Sequence, residues 1–294
     1  MRRIRRRPVL ARLLLRVGQA LPILCLGGVI QCRQAPRSLN LITAPSDSGV
    51  SETVSPETLS LINLAADDPL GFLRFCRESC AKNVRAYRCI FLKQERIRGV
   101  LGAEQEIEVV FREEPFSVHM KWLRNPGGAE EAVYVAGELR DEEGRELGRF
   151  KPAGVIGLLV DEVTLPIEGE EARKDSRRTL NQFGFRNTLD LIVKYCDAAL
   201  TSPEYSLKFT GVGKIGGRST LTFERRLPYS GEDGAYPDRL LTVHIDQEWL
   251  VPLGCFAYAD DLKERLLGSY VFTDVELNPK GAWPAADRLA VSDP

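Results

Sequence analysis

The chain has few of the side chains that enzymes and metal sites use most. Only 2 histidines, His119 and His244, occur among its 294 residues, and each lies in a stretch of strand-like alternation. No G-x-S-x-G nucleophile elbow is present, and the cysteine spacings do not match those of a zinc site. The glycine-rich stretch 211–217 does not open a helix, which favours a turn over a phosphate-binding loop. The sequence therefore predicts no catalytic residue, no metal site and no cofactor.

Acidic residues are missing from the beginning of the chain. None precedes Asp47, whereas arginines crowd the first sixteen residues. Over the whole chain 40 Lys and Arg balance 41 Asp and Glu, so net charge does not favour nucleic acid as a partner. The apolar run 17–30 follows the basic start and is shorter than the roughly 20 residues that span a bilayer. We therefore predict that residues 1–32 are a signal peptide or membrane anchor, with an amphipathic surface helix as the alternative.

Export would place the protein in the periplasm, or anchored on the outer face of its membrane. The residues before Cys32 match a lipoprotein cleavage pattern in part, because Gln31 is bulky where a small residue is usual. Lipidation of Cys32 is therefore one hypothesis, and a discarded or free cysteine is the other. Residues 33–56 have little apolar periodicity and are predicted to be a disordered linker. Residues 285–294 are predicted to be a disordered tail.

Residues 57–284 are predicted to form one folded domain of the α+β class. Apolar stripes predict helices over residues 56–66, 69–84 and 188–200, the last one capped by Thr188. Most of the remaining pattern has a period of two, which predicts strands before and after the third helix. The connections are too short for parallel crossovers, so the sheet is predicted to be antiparallel.

The middle of the domain is less regular than its two sides. Residues 155–160 form an apolar run that fits either a helix or a strand. Residues 168–178 carry a dense cluster of charges, which we interpret as a solvated loop or the start of a helix. Neither stretch predicts a functional residue.

Three blocks of sequence occur in order at residues 87–95 (YRCIFLKQE), 115–122 (PFSVHMKW) and 132–137 (AVYVAG). With these blocks the chain resembles the bacterial family known as domain of unknown function 1571, over about residues 72–278. The family has no catalytic residue to carry over to this sequence.

The end of the domain has a second, more distant resemblance. Asp246, Pro252 and the stretch 270–274 with Asn278 are similar to the end of the lipoprotein carriers of the LolA and LolB type. That resemblance implies a strongly curved, mostly antiparallel sheet, an unclosed half-barrel, with helices packed on its concave side. It also implies an apolar cavity for acyl chains, although the ligand arginine typical of the carriers cannot be placed on this sequence.

The apolar strand faces are the candidate ligand surface. The residues predicted to line a cavity are Phe91, Val109, Phe111, Val118, Met120, Trp122, Phe223 and Val243. A cavity follows if the sheet is curved and incompletely filled. The leading hypothesis is an exported, non-catalytic envelope protein that binds an acyl chain, a lipid or a lipidated partner. It would touch a membrane surface through an uncleaved or lipidated N-terminus. The alternative is a structural or protein-interaction module whose core its own side chains fill.

Four cysteines are candidates for disulfides in an oxidising compartment: Cys76, Cys80, Cys89 and Cys196. Cys76 and Cys80 lie one helical turn apart, a spacing that rarely meets disulfide geometry, so each is a candidate partner for Cys89 or Cys196. The alternative is that these residues and Cys255 are buried thiols packed as small hydrophobic side chains.

Overall fold

A computed structural model describes residues 37–43, 56–169 and 173–280. The described helices are α1 (Arg37–Asn40), α2 (Pro56–Asp67), α3 (Pro69–Asn83), α4 (Gly154–Gly157) and α5 (Phe185–Ala199), and a 3-10 turn (Leu180–Gln182) precedes α5. The described strands are β1 (Ile42–Thr43), β2 (Ala86–Ile97), β3 (Val100–Leu101), β4 (Gln105–Arg112), β5 (Ser117–Arg124), β6 (Ala129–Val135), β7 (Leu147–Pro152), β8 (Val163–Pro166), β9 (Ser206–Ile215), β10 (Arg218–Arg226), β11 (Leu240–Asp246), β12 (Pro252–Tyr258) and β13 (Leu266–Leu277). The predicted leader, Cys32 and the C-terminal tail lie outside the described residues.

The strands form one large antiparallel sheet. Its order is β1-β9-β10-β11-β12-β13-β2-β4-β5-β6-β7-β8, and β3 pairs with β2. Within the described residues every pairing is antiparallel, and β1 and β8 stand at the two ends of the order without pairing to each other. The predicted antiparallel, unclosed sheet of an α+β protein is therefore confirmed.

One face of the sheet contacts the helices, and we call it the helix face. It carries Phe91, Val109, Phe111, Val118, Phe223 and Val243. Directly paired residues share a face, as Phe91 does with Ile107 and with Phe272. Phe72 of α3 stacks on Phe223 with ring centroids 5.3 Å apart, and Phe185 of α5 stacks on Tyr87 at 4.3 Å.

Helix α3 begins as the sequence predicts. The Asp68 side chain accepts a hydrogen bond of 2.8 Å from the backbone N–H of Gly71, and Pro69 occupies the first helical turn, where no N–H is needed. None of the described helices has both the length and the apolar content needed to cross a membrane.

Helix α5 begins at Phe185, three residues before the predicted cap. The Thr188 hydroxyl lies in the first turn, where it donates to the carbonyl of Gly184 at 2.9 Å instead of capping the helix. Gly184 has φ 115, and a Cβ built on it would lie 3.0 Å from the ring of Phe111. The prediction of Thr188 as the cap is wrong because glycine, and not a capping side chain, permits this close turn onto the sheet.

Part of the predicted disordered linker is ordered. Ile42 and Thr43 pair with Ile215 and Lys214 as strand β1. The Glu104 carboxylate accepts hydrogen bonds of 2.9 Å from the backbone N–H groups of both Arg37 and Ser38. The compact unit of the chain accordingly starts at Ala35. The linker prediction is corrected for residues 37–43, because Glu104 and β9 satisfy backbone groups that the local sequence cannot.

The five cysteines of the domain are buried free thiols, as in the second of the two interpretations: Cys76, Cys80, Cys89, Cys196 and Cys255. Burial raises the pKa of both Cys80 and Cys255 to about 12. Thiols held in this way remain protonated at neutral pH and are poor nucleophiles.

Candidate functional site

The predicted cavity-lining residues all lie on the helix face, in two groups. Six of them, on β2, β4 and β5, are direct or near neighbours: Phe91, Val109, Phe111, Val118, Met120 and Trp122. The other two, Phe223 and Val243, pair with each other on β10 and β11. Trp122 is partly buried and the other seven are buried. Strands β12 and β13 separate the two groups. The eight residues therefore share a face but do not form one continuous cluster of neighbouring side chains.

Aromatic rings of the chain itself cover parts of this face. Phe183, just before α5, contacts Phe91 edge-on with ring centroids 5.2 Å apart and Phe111 at 5.9 Å. Phe223 lies between Phe72, at 5.3 Å, and Phe209, at 5.6 Å. These contacts bury large apolar area and are favourable beyond that burial.

Polar atoms meet the apolar face at one end of it. Trp122 pairs with Ile107 on the helix face, and Gln105 pairs with Lys93 two positions further along β4. The Trp122 Nε1 and the Gln105 Oε1 are buried without a hydrogen-bond partner among the described residues. A buried donor without an acceptor costs about 1–3 kcal/mol. A water molecule or a ligand atom would supply the missing partner.

A buried carboxylate lies two positions further along β2 from Lys93. Glu95 Oε1 accepts from the Tyr270 hydroxyl at 2.7 Å, and Oε2 lies 3.4 Å from the Lys93 Nζ. Burial by itself would raise the pKa of Glu95, but Lys93 and the hydrogen bonds lower it below its ordinary value. Glu95 is therefore ionised at neutral pH and is held by fixed partners.

The Glu95 carboxylate also fixes a covering segment. Ser176 Oγ and the backbone N–H of Arg177 both donate to Glu95 Oε2 at 3.2 Å, and Arg177 Nη2 donates to the carbonyl of Pro237 at 2.8 Å. Residues 173–178 form a loop, as one of the two interpretations of residues 168–178 predicts, but Ser176 and Arg177 are only partly solvated because they bond to a buried group. Sequence reasoning missed Glu95, because a carboxylate near the end of a strand has no local signal of burial.

The two histidines are not close to each other. His244 is buried, with Nδ1 3.2 Å from the Thr220 hydroxyl and 3.3 Å from the Thr222 hydroxyl. Burial, with a smaller effect of Lys263, lowers the pKa of His244 to about 4. His119 lies on the face opposite the helices, where its Nε2 is 2.5 Å from Glu131 Oε1.

Metal ligands do not converge in the part of the chain that the structure describes. No three His, Cys, Asp or Glu side chains among those residues are grouped so that they could hold an ion. The Glu131 partner of His119 has a pKa below its ordinary value, chiefly because it shares a hydrogen bond with that histidine. The pair joins β5 to β6 as a cross-strand contact.

These features define an α+β protein with an open antiparallel sheet whose aromatic face lies beneath helices. The chain belongs to the family described as protein of unknown function (DUF1571), whose model matches residues 84–282. The family resemblance read from the sequence is therefore confirmed. No curated protein matches the chain.

The chain is similar to several solved structures. In the Pseudomonas aeruginosa MucA/MucB complex, the matched chain has 16% identity and a TM-score of 0.41, with 79% of this chain and 60% of that chain covered. Mycobacterium tuberculosis lipoprotein LppX has 15% identity, a TM-score of 0.37, and 74% and 99% coverage. A LolA superfamily protein from Nitrosomonas europaea has 9% identity, a TM-score of 0.24, and 71% and 94% coverage. The chain spans less than two thirds of the MucB chain, and at these scores the likenesses carry no argument about function.

Proposed function

We propose that this chain is an exported, non-catalytic envelope protein that binds an amphiphile with an acyl chain on the helix face of its sheet. The observation that carries the proposal is the buried indole N–H of Trp122, which lacks an acceptor among the described residues. It lies at the border of an apolar surface, where a ligand carbonyl or ester would supply the acceptor.

The helix face changes in polarity along the strands. Tyr87 and Phe111 lie at one end within the aromatic cluster, whereas Lys93, Gln105 and Trp122 lie toward the other. An amphiphile fits this gradient, with its chain against Val109, Ile107 and Met120 and its polar head near Trp122. In this proposal the helix face is the concave side of a half-barrel, with α3 and α5 packed in it.

Entry of a ligand requires movement of the covering segment. Phe183 lies on Phe91 and Phe111, two of the proposed lining residues. The segment before it is tied to the sheet by hydrogen bonds from Ser176 and the Arg177 N–H to Glu95, which would have to break for the segment to move. Release of that segment would uncover the apolar residues of β2, β4 and β5.

The ligand classes are a lipid, a free acyl chain or a lipidated protein. Export rests on the basic and apolar pattern of residues 1–32, which also supports a periplasmic or membrane-anchored location. Lipidation at Cys32 would hold the domain at the membrane.

A second candidate function has its own observation. The rings of Phe72 and Phe185 already stack on the helix face, and the ring of Phe183 contacts it edge-on. A core filled in this way favours a structural or protein-interaction module of the envelope, without a ligand.

Native mass spectrometry of the purified protein, before and after organic extraction, separates the two. Extractable mass of a fatty acid or phospholipid is expected, as is uptake of a fluorescent fatty acid. A Trp122→Phe variant removes the N–H together with the five-membered ring that carries it, and should weaken that uptake at least about fivefold, the value of one hydrogen bond. Trp249→Phe is the matched control, since Trp249 stacks on Arg218 at 3.3 Å, away from the helix face. A bare polypeptide mass together with failure to take up the probe would leave the self-filled module.

A further inference from the structure

Several connections leave the sheet at the same end. The register pairs Glu95 with Gly268, Glu106 with Arg124, and Ala129 with Pro152. Since alternate turns of an antiparallel sheet emerge at one end, the connections at residues 98–104, 125–128, 153–162 and 259–265 lie side by side. We call this end of the sheet the loop end.

The loop end holds the most exposed apolar side chains of the described chain. Among the described residues, the large hydrophobic side chains with more than 70% of their surface exposed are Val100 (71%), Val155 (74%), Leu158 (83%), Leu159 (81%) and Leu262 (77%). All five lie in three of the loop-end connections. Isolated exposed apolar residues are ordinary, but a shared location of the most exposed ones marks an interaction surface.

The chain enters the folded unit at the same end. The backbone N–H groups of Arg37 and Ser38 bond to Glu104 in the first loop-end connection. The carbonyl of Glu104 accepts from the Asn125 side chain at 2.7 Å, and the Ala153 N–H donates to the carbonyl of Gly128 at 3.1 Å. These contacts connect the entry point to the loop that carries Val155, Leu158 and Leu159.

We propose that the loop end is a membrane-docking surface, which inserts the side chains of Val100, Val155, Leu158, Leu159 and Leu262 into the interfacial region of a bilayer. The apolar residues occupy the tips of separate loops, an arrangement that a fluid bilayer accepts without shape complementarity. The apolar run 17–30 ends at Ile30, and the chain from there to Arg37 spans at most about 25 Å at ~3.5 Å per residue. A membrane-held leader would therefore deliver the domain with this end toward the lipid.

The charge of the loops specifies the kind of membrane. Taken together, residues 98–104, 153–162 and 259–265 contain six acidic residues and three basic ones. Docking is therefore driven by apolar insertion and not by attraction to anionic lipid. Zwitterionic phosphatidylcholine vesicles are the appropriate probe.

Vesicle sedimentation tests the proposal on residues 35–294, which form the compact unit and contain the entire described core. This fragment excludes the leader, which could bind lipid by itself. The unsubstituted fragment should sediment with phosphatidylcholine vesicles. The double change Leu158→Ser and Leu159→Ser should lower the partition coefficient at least about tenfold, because two leucines lose their burial in lipid. Val212→Ser, on β9 toward the other end of the sheet, is the positional control and should still bind vesicles. Trp122→Phe should also still bind, which would separate docking from ligand binding.

A second measurement uses the full chain. With vesicles added, a Leu158→Trp variant should show blue-shifted emission that brominated phosphatidylcholine quenches, and Val212→Trp should not. The proposal is overturned if the unsubstituted fragment fails to sediment with vesicles or if the double variant binds as well as it does. It is also overturned if the double change instead converts a dimer into a monomer without lipid, since the occupant is then a second copy.

Discussion

The strands β2 to β8 form the first half of the sheet, and the strands β9 to β13 form the second half. The two halves differ in how many of their faces are covered, as the surroundings of their histidines show. In the first half, β5 alternates near its start between buried residues and the half-buried His119, and ends in exposed positions. In the second half, every residue of β11 is buried, including His244. A strand with one solvated face has an alternating pattern, whereas a strand covered on both faces does not.

The residues that cover the second face of this half, opposite the helices, can be identified. Ile215, at the end of β9, would lie 3.1 Å from a Cβ built at Gly254 of β12, and Ser38 Oγ lies 3.3 Å from Ser269 Oγ on β13. The end of β9 and the segment 37–43 therefore lie against the face opposite the helices. The second half is therefore a core with layers on both faces of the sheet, while in the first half β5 has one buried face.

The largest expected effect is the loss of a ring from the double-layered half. Phe223→Ala should lower the free energy of unfolding by about 3–5 kcal/mol, because it leaves a cavity between Phe72 and Phe209. Urea denaturation measures the change. Phe116→Ala, which removes a partly buried ring in the first half, should cost less. Equal losses would contradict the difference between the halves.

The next largest effect is expected in the dependence of stability on pH, and His244 is its cause. The pKa of His244 is about 4 in the folded protein, against an ordinary value of 6.5. Below pH 6.5 the unfolded chain binds a proton that the folded chain excludes. Stability should therefore fall as pH decreases from 6.5 toward 4, by up to about 3 kcal/mol.

Two single variants sharpen this result, because the chain has only these two histidines. His244→Gln should remove that part of the pH dependence, measured by urea denaturation between pH 7 and pH 5. His119→Gln, in the half with a solvated face, should retain it. The same slope in both variants would show that His244 is not the group responsible.

The smallest effect should come from the segment that covers the opposite face. Glu104→Gln removes the charge that accepts the N–H groups of Arg37 and Ser38, and should cost about 1 kcal/mol. Hydrogen exchange in residues 37–43 should accelerate while that of β11 stays slow. Glu106→Gln is the control, because its ion pairs at 3.1 Å to Arg37 and 3.5 Å to Arg124 involve half-exposed arginines. Unchanged exchange in Glu104→Gln would mean that β1 pairing alone holds the segment.

Much of the sheet could be predicted from local pattern. The alternation at Val118, Met120 and Trp122 places these residues on one face, since side-chain direction in a strand depends only on the neighbouring residues. The start of α5 was misplaced, because Thr188 has the chemistry of a cap but Gly184 makes the turn.

The candidate site was predicted less completely than the sheet. The pairing of the strands places the eight predicted apolar residues on a common face, but the sequence has no signal for the unpartnered N–H of Trp122 or for the role of Glu95. Ser176 and Glu95 are 81 positions apart, and Ser38 and Glu104 are 66 apart. A single sequence has no local signal for hydrogen bonds over such separations.

By itself, the sequence determined the antiparallel α+β architecture and the lack of catalytic motifs, because these follow from short-range periodicity and from residue types. The family resemblance rests on the three sequence blocks at residues 87–95, 115–122 and 132–137. Tertiary structure decided which faces are covered twice, where residues 37–43 dock, and that the ambiguous apolar run 155–160 presents Leu158 and Leu159 to solvent. The physical reason is that burial and long-range hydrogen bonds depend on residues far apart in the chain, which only the folded protein brings together.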